Sequence, residues 1–356
     1  MEASPFNASV GRRLPPIDLR PFPVEVSIVK DHTSQRTLSP HRSRMSMRVK
    51  SYYLLPLLLL CSTAFAKEYK MPRGEQQIIV DMHFLISAAR SEHILRWLDS
   101  STAALVSVYG RLPRSNLRIE VSPISVNSDD SIPWAQVTRG DPDTVKFYID
   151  AMASEEDLVN NWTSYHELSH LLIPYRGWGD MWFSEGLASY YQNLLQVRAG
   201  VIDERTLWQK LHAGFERGLD NRRPDLTLAE LSPTMRENRS YMRVYWSGAW
   251  FFLKADVELR KRSGGDVTLD TVLGELNNCC RDETLSAREI VVKLDSFSES
   301  TLFSDLFNTM RASRAIPPVE ALWSELGIAV EGGTVSLIEE HPGARLRRGI
   351  AESSKL

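Results

Sequence analysis

The chain has 356 residues, 43% hydrophobic and 24% charged, with 9% aromatic side chains, which is enough apolar material for a sizeable core and too much for a disordered polymer. Its 42 Lys and Arg stand against 45 Asp and Glu, a net charge of -3. That balance lacks the basic excess needed to track a phosphate backbone, so nucleic acid is not an expected partner.

Residues 1–46 are rich in Pro, Ser and Arg without a sustained hydrophobic period, and they read as a disordered or mis-started leader. Residues 47–66, MRVKSYYLLPLLLLCSTAFA, combine a basic start, an apolar run and a small-x-small end at Ala64-Phe65-Ala66, the pattern of a secretory signal peptide. The run from Tyr52 to Ala66 is shorter than the roughly 20 residues of a spanning helix, so no stable membrane insertion is expected after cleavage. Leu60, before Cys61, is too large for a lipoprotein signal. Cleavage before Lys67 removes nine Lys/Arg and four Asp/Glu, leaving 33 against 41, a charge of -8 on 290 residues. The expected working protein is acidic and exported, periplasmic or secreted.

From Gln76 to Asp150, IIVDMHF, LRIEVSPISV and TVKFYID read as strands, and SEHILRWLDSSTAALVSVYG as a helix ending at Gly110. From Ser154 onward nearly every segment reads as helix, punctuated at Pro174, Gly200, Pro233, Gly264-Gly265 and Pro317-Pro318. The fold class is α+β: a small mixed sheet with a sheet-bearing part over 67–200, a helical subdomain over 201–330, and a tail over 331–356.

Two helices carry the chemistry. In ASEEDLVNNWTSYHELSHLLIP, Ser154 and Asp157 form a capping box, Leu158, Trp162, Tyr165 and Leu172 a core stripe, and Pro174 the stop. His166 and His170 stand four apart on a neighbouring face, so both imidazoles can reach one ion, with Glu167 beside them. The next helix, MWFSEGLASYYQNLLQVRAG, brings Glu185 near its first turn, able to complete a His-His-Glu set around Zn²⁺. Ser189, one turn later, is either a partner that orients Glu185 or an ordinary helix serine. His83, His93, His212 and His341 have no ligand spacing. Cys279 and Cys280 are expected as unbonded helix residues closing DVTLDTVLGELNNCC, because an eight-membered ring strains the peptide between them.

HELSH followed by WFSEGLASYYQNLLQVRAG resembles the gluzincin metallopeptidases, whose catalytic domain is thermolysin-like, and is most similar to the glycyl and alanyl aminopeptidases. Tyr245-Trp246-Ser247-Gly248-Ala249 is similar to their Tyr-x-x-Gly element, and the resemblance implies that Tyr245 stabilises the tetrahedral intermediate, with Tyr241 as fallback. A packed core aromatic is the competing role for Tyr245. Fourteen residues separate His170 from Glu185, where the alanyl aminopeptidases use eighteen. There is no G-x-M-E-N to hold a substrate amine, and Glu120 and Asp150, the acidic candidates for that task, read better as structural. No PDZ-like domain of the glycyl aminopeptidase kind is expected after the helices.

These residues imply a zinc peptidase in which Glu167, as general base, activates a zinc-bound water against a peptide or protein substrate. The alternatives are a catalytically inactive binding or scaffold protein on the same fold, and a membrane-anchored interaction protein if residues 47–66 are retained.

Overall fold

Burial alternates strictly along β5 (Asp143–Asp150), with Val145, Phe147 and Ile149 turned inward, as expected of a strand covered on one face. It belongs to a five-stranded mixed sheet with β1 (Lys67–Arg73), β2 (Gln76–Met82), β3 (Asn116–Ile124) and β4 (Trp134–Thr138), in the order β1-β2-β3-β5-β4. The pairs β2–β3 and β3–β5 are parallel, and the outer strands run antiparallel. This computed structural model describes residues 67–83, 87–124, 130–175 and 179–353. The stretches read from the sequence as a leader and a signal peptide, residues 1–46 and 47–66, lie outside them.

The inner face of the sheet is covered by α1 (Ala88–Val106), whose Trp97 meets Phe147 edge-on at 5.1 Å between ring centroids. Next come α2 (Glu155–Asn160) and α3 (Trp162–Ser169), where the sequence suggested one helix from Ser154 to Pro174. The Ser154–Asp157 capping box is formed, but the helix breaks at Asn161. That residue is extended (φ -73°, ψ 126°) and accepts from the Thr163 N–H at 2.9 Å while donating to Asp130 at 2.7 Å. A short polar side chain able to bond its own backbone competes with the helix here.

The helical half continues with α4 (Met181–Arg198), α5 (Glu204–Asp220), α6 (Leu228–Leu231), α7 (Tyr241–Ser263), α8 (Leu269–Cys280), α9 (Ala287–Phe297), α10 (Leu302–Ala312) and α11 (Glu320–Glu325). The boundary read at residue 200 falls between α4 and α5, which both pack on α7. At the α4–α7 contact Trp182, Phe183, Phe251, Phe252 and Phe307 form one aromatic cluster, the apolar mass that fixes α4 against the bundle. Among the described residues no helix is long and apolar enough to cross a membrane.

Two readings are corrected. The stretch taken for a tail carries the hairpin of β6 (Ile328–Glu331) and β7 (Thr334–Leu337) and then α12 (Ala344–Glu352), which packs on α4, α5 and α7. Its Arg347 is 0% exposed and donates to Glu204, Glu339 and the Gly327 carbonyl, so a charge-rich helix that looks solvated is held by a satisfied buried guanidinium. Cys279 and Cys280, expected as separate thiols, are joined in a vicinal disulfide at the end of α8.

Candidate metal centre

His166 and His170 sit one turn apart near the end of α3, where the helix tightens into a 3₁₀ turn over His170–Leu172. Arg139 secures this end by donating to the His170 and Ile173 carbonyls, the second at 2.9 Å. Asp143, bonded to it at 3.0 Å, holds Arg139 in place. The last carbonyls of a helix are thus met by a cation, which satisfies them and opposes the helix dipole.

Glu185 enters from α4, just past its first turn. Its Oε2 lies 3.4 Å from Nε2 of His166 and 3.7 Å from Nε2 of His170, and one ligand atom from each of the three residues lies within 4.8 Å of the others. Ligand atoms about 2.0–2.1 Å from a tetrahedral Zn²⁺ stand about 3.3 Å apart. The donor types suit that ion, and the two separations to Glu185 lie close to that figure.

The far nitrogens of both rings are taken. Nδ1 of His166 pairs with Oε1 of Gln192 at 2.8 Å, and Nδ1 of His170 with the Ser184 hydroxyl at 2.9 Å. Such bonds fix each imidazole with Nε2 facing the centre. Sequence reasoning missed both partners, although Ser184 and Gln192 flank Glu185 on the helix that supplies it. Ser189 is buried and makes no hydrogen bond to Glu185 among the described residues, so it is not the orienting group.

The electrostatics suit ligands and a base. Burial pulls the His170 imidazole down to about 4, keeping its lone pair free. His166 is drawn upward, because the hydrogen bond and charge of Glu185, with the charge of Glu167, outweigh its burial. Burial also opposes the charge of Glu185, but the two imidazoles and the Tyr245 hydroxyl prevail and hold it below the ordinary carboxylate value. Glu167 is pushed up to about 7 by burial, with Glu185 adding to the push and His166 opposing it. A carboxylate with that affinity takes up and returns a proton near neutrality.

Tyr245 comes from α7. Its ring stacks on His166, with centroids 6.1 Å apart and planes 17° from parallel, and its hydroxyl is near enough to Glu185 to favour that carboxylate's charge. Burial first, and then the charge of Glu185, raise its pKa well above the ordinary value, so it stays a hydrogen-bond donor. Tyr241, the fallback, meets Tyr245 edge-on at 6.4 Å. The structure thus brings together His166, Glu167, His170, Glu185 and Tyr245. Glu120 instead pairs with Lys146 at 3.0 Å, and Asp150 accepts from the Met152 N–H at 2.8 Å.

Residues 178–245 match the family model described as M61 glycyl aminopeptidase, a span that includes Glu185 and Tyr245 but begins after the histidines. The structure is similar to an aminopeptidase N family protein from Idiomarina loihiensis, with a TM-score of 0.56, 16% identity, and coverage of 75% of this chain and 50% of that one. It is also similar to the LTA4 hydrolase of yeast, with a TM-score of 0.50, 14% identity, and coverage of 73% of this chain and 42% of that one. The chain thus spans about half the length of these structures or less, and what it shares with them is the fold. No curated protein sequence matches it. The α+β class read from the sequence is the observed one, and the likeness to the glycyl aminopeptidases is confined to residues 178–245.

Proposed function

We propose that this chain is a zinc-dependent peptidase, exported by way of its 47–66 segment, that hydrolyses peptide bonds at the centre on α3 and α4. The observation that carries the reading is the convergence of both histidine Nε2 atoms on one oxygen of Glu185 at 3.4 and 3.7 Å. His166, His170 and Glu185 would hold Zn²⁺, which when bound polarises a carbonyl and makes water more acidic.

The remaining steps belong to the chain. Glu167 takes the proton of the attacking water and passes it to the leaving amine, a cycle for which its raised proton affinity is suited. Tyr245 donates to the oxygen that gains negative charge in the transition state. Gln192 and Ser184 hold the imidazoles still throughout. Trp162, edge-on to His166 at 5.5 Å, adds apolar wall that excludes water from the ligand set.

The deciding experiment incubates the zinc-loaded protein with a mixed peptide library and reads the products by mass spectrometry. Cuts one residue from the N-terminus make it an aminopeptidase, and internal cuts an endopeptidase. An uncut library with a zinc-replete protein would leave only the inactive scaffold.

A further inference from the structure

Buried arginines in this protein come with carboxylates: Arg260 with Asp256 at 2.9 Å, Arg198 with Asp270 at 2.8 Å, and Arg347 with Glu204 and Glu339. Arg243, in the first turn of α7, does not. It is 1% exposed, its Nη2 reaches only the Ser313 hydroxyl at 3.4 Å, and its Nε and Nη1 are buried with no hydrogen-bond partner. Arg217, in the last turn of α5, lies over the Trp246 ring at 5.3 Å, and its Nε is likewise buried and unpartnered. Among the described residues no carboxylate offsets either burial. Burial alone lowers both guanidinium groups, Arg243 to about 10.

An uncompensated buried cation is among the costliest features a fold can carry, so such a group ordinarily has a counter-charge. The helix end beside it also favours a negative charge. Ser240, the N-cap of α7, gives no side-chain hydrogen bond to the first turn, and the side chain of Arg243 tilts back toward that end, as all helical side chains do. Unpaired buried donors of this kind mark the place of an ion or of ordered water. The desolvation cost of a bound anion rises steeply with its charge, and Arg243 is almost fully buried, which selects a small, singly charged occupant.

We propose that Arg243 holds a monovalent anion of the halide class beside the first turn of α7, next to Ser313 where the chain leaves α10. The ion neutralises the buried guanidinium and fixes the first turn of α7, two residues before Tyr245. The site is separate from the metal centre.

The test uses the unaltered protein and Arg243→Met. Melting temperatures are compared in sodium chloride and in sodium gluconate at equal ionic strength, and crystals grown in sodium bromide are examined for anomalous scattering. We expect chloride to raise the melting temperature of the unaltered protein by a few degrees. That dependence should vanish in Arg243→Met, whose apolar side chain needs no counter-ion, and a bromide peak should stand within hydrogen-bond distance of Arg243. Should Arg243→Met fail to fold, the bromide map of the unaltered protein decides alone. Bromide only at the surface, a water at the guanidinium, or chloride dependence kept by Arg243→Met would overturn the proposal.

Discussion

Gly186 on α4 and Gly248 on α7 meet backbone to backbone. A Cβ on Gly186 would fall 2.2 Å from the Gly248 Cα, and a Cβ on Gly248 would fall 2.0 Å from the Trp182 carbonyl oxygen. Each glycine is fixed in the chain relative to a functional neighbour: Glu185 precedes the first, and Tyr245 lies three residues before the second. The contact sets how near the hydroxyl of Tyr245 comes to Glu185. Gly248→Ala must therefore push the helices apart, at a cost of about 2–3 kcal/mol and a fall in Tm of about 5 °C. Turnover should fall further than stability explains. A Gly248→Ala protein of unchanged Tm and kcat would show that the contact does not gauge the site.

The purified protein should carry one zinc per chain, lost on Glu185→Ala. Gln192→Ala and Ser184→Ala each leave an imidazole free to turn, and zinc affinity should drop about 10-fold to 100-fold. Competition with a chromogenic chelator measures this, and unchanged affinity in both variants would mean that packing alone orients the rings.

Glu167→Gln keeps the three ligand atoms but removes the proton acceptor, so it should bind zinc normally and turn over at least about 10²-fold more slowly. Elemental analysis and a kinetic assay on one preparation test both halves.

Tyr245→Phe should lower kcat about 10²-fold with KM and Tm little changed, because the lost hydrogen bond acts mainly in the transition state. A lowered Tm with intact kcat would assign the hydroxyl to packing.

In the zinc-free protein Glu167 binds its proton up to about pH 7 when folded, against an ordinary value of 4.5. Between those values the folded state holds more protons than the unfolded one, so this residue makes stability fall as pH rises from about 4.5 to 7. Glu167→Gln should flatten that part of the Tm–pH curve. An identical slope in both proteins would show that Glu167 keeps an ordinary affinity.

The histidine pair was legible because its spacing is local: any helix through residues 166 to 170 puts both rings on one face. Glu185 was legible because it lies near the start of the next helix. Gln192 and Ser184 were not, since their role depends on which ring nitrogen faces inward, a fact of how α3 and α4 pack. The break at Asn161 hid behind a continuous apolar stripe that two helices serve as well as one. β4, five residues long at the sheet edge with no fully buried position, gave no alternation to read. β1, with Met71 its one buried residue, was as hard to read, and α12 was missed because Arg347 looks like a surface charge until its partners from α5 and the 339 region are brought around it.

The dependence of α4, α5 and α7 on α12 has a kinetic side. The hairpin and α12 are translated after every helix they cover, so on a growing chain the two halves of the metal centre emerge while the surface that clamps them is still missing. Arg347 meets Glu204 across a separation of 143 positions in the chain, a long-range closure of the kind that slows folding. The nascent chain would spend synthesis with that apolar seam uncovered, a state open to chaperones and proteases alike, and activity would come late and all at once.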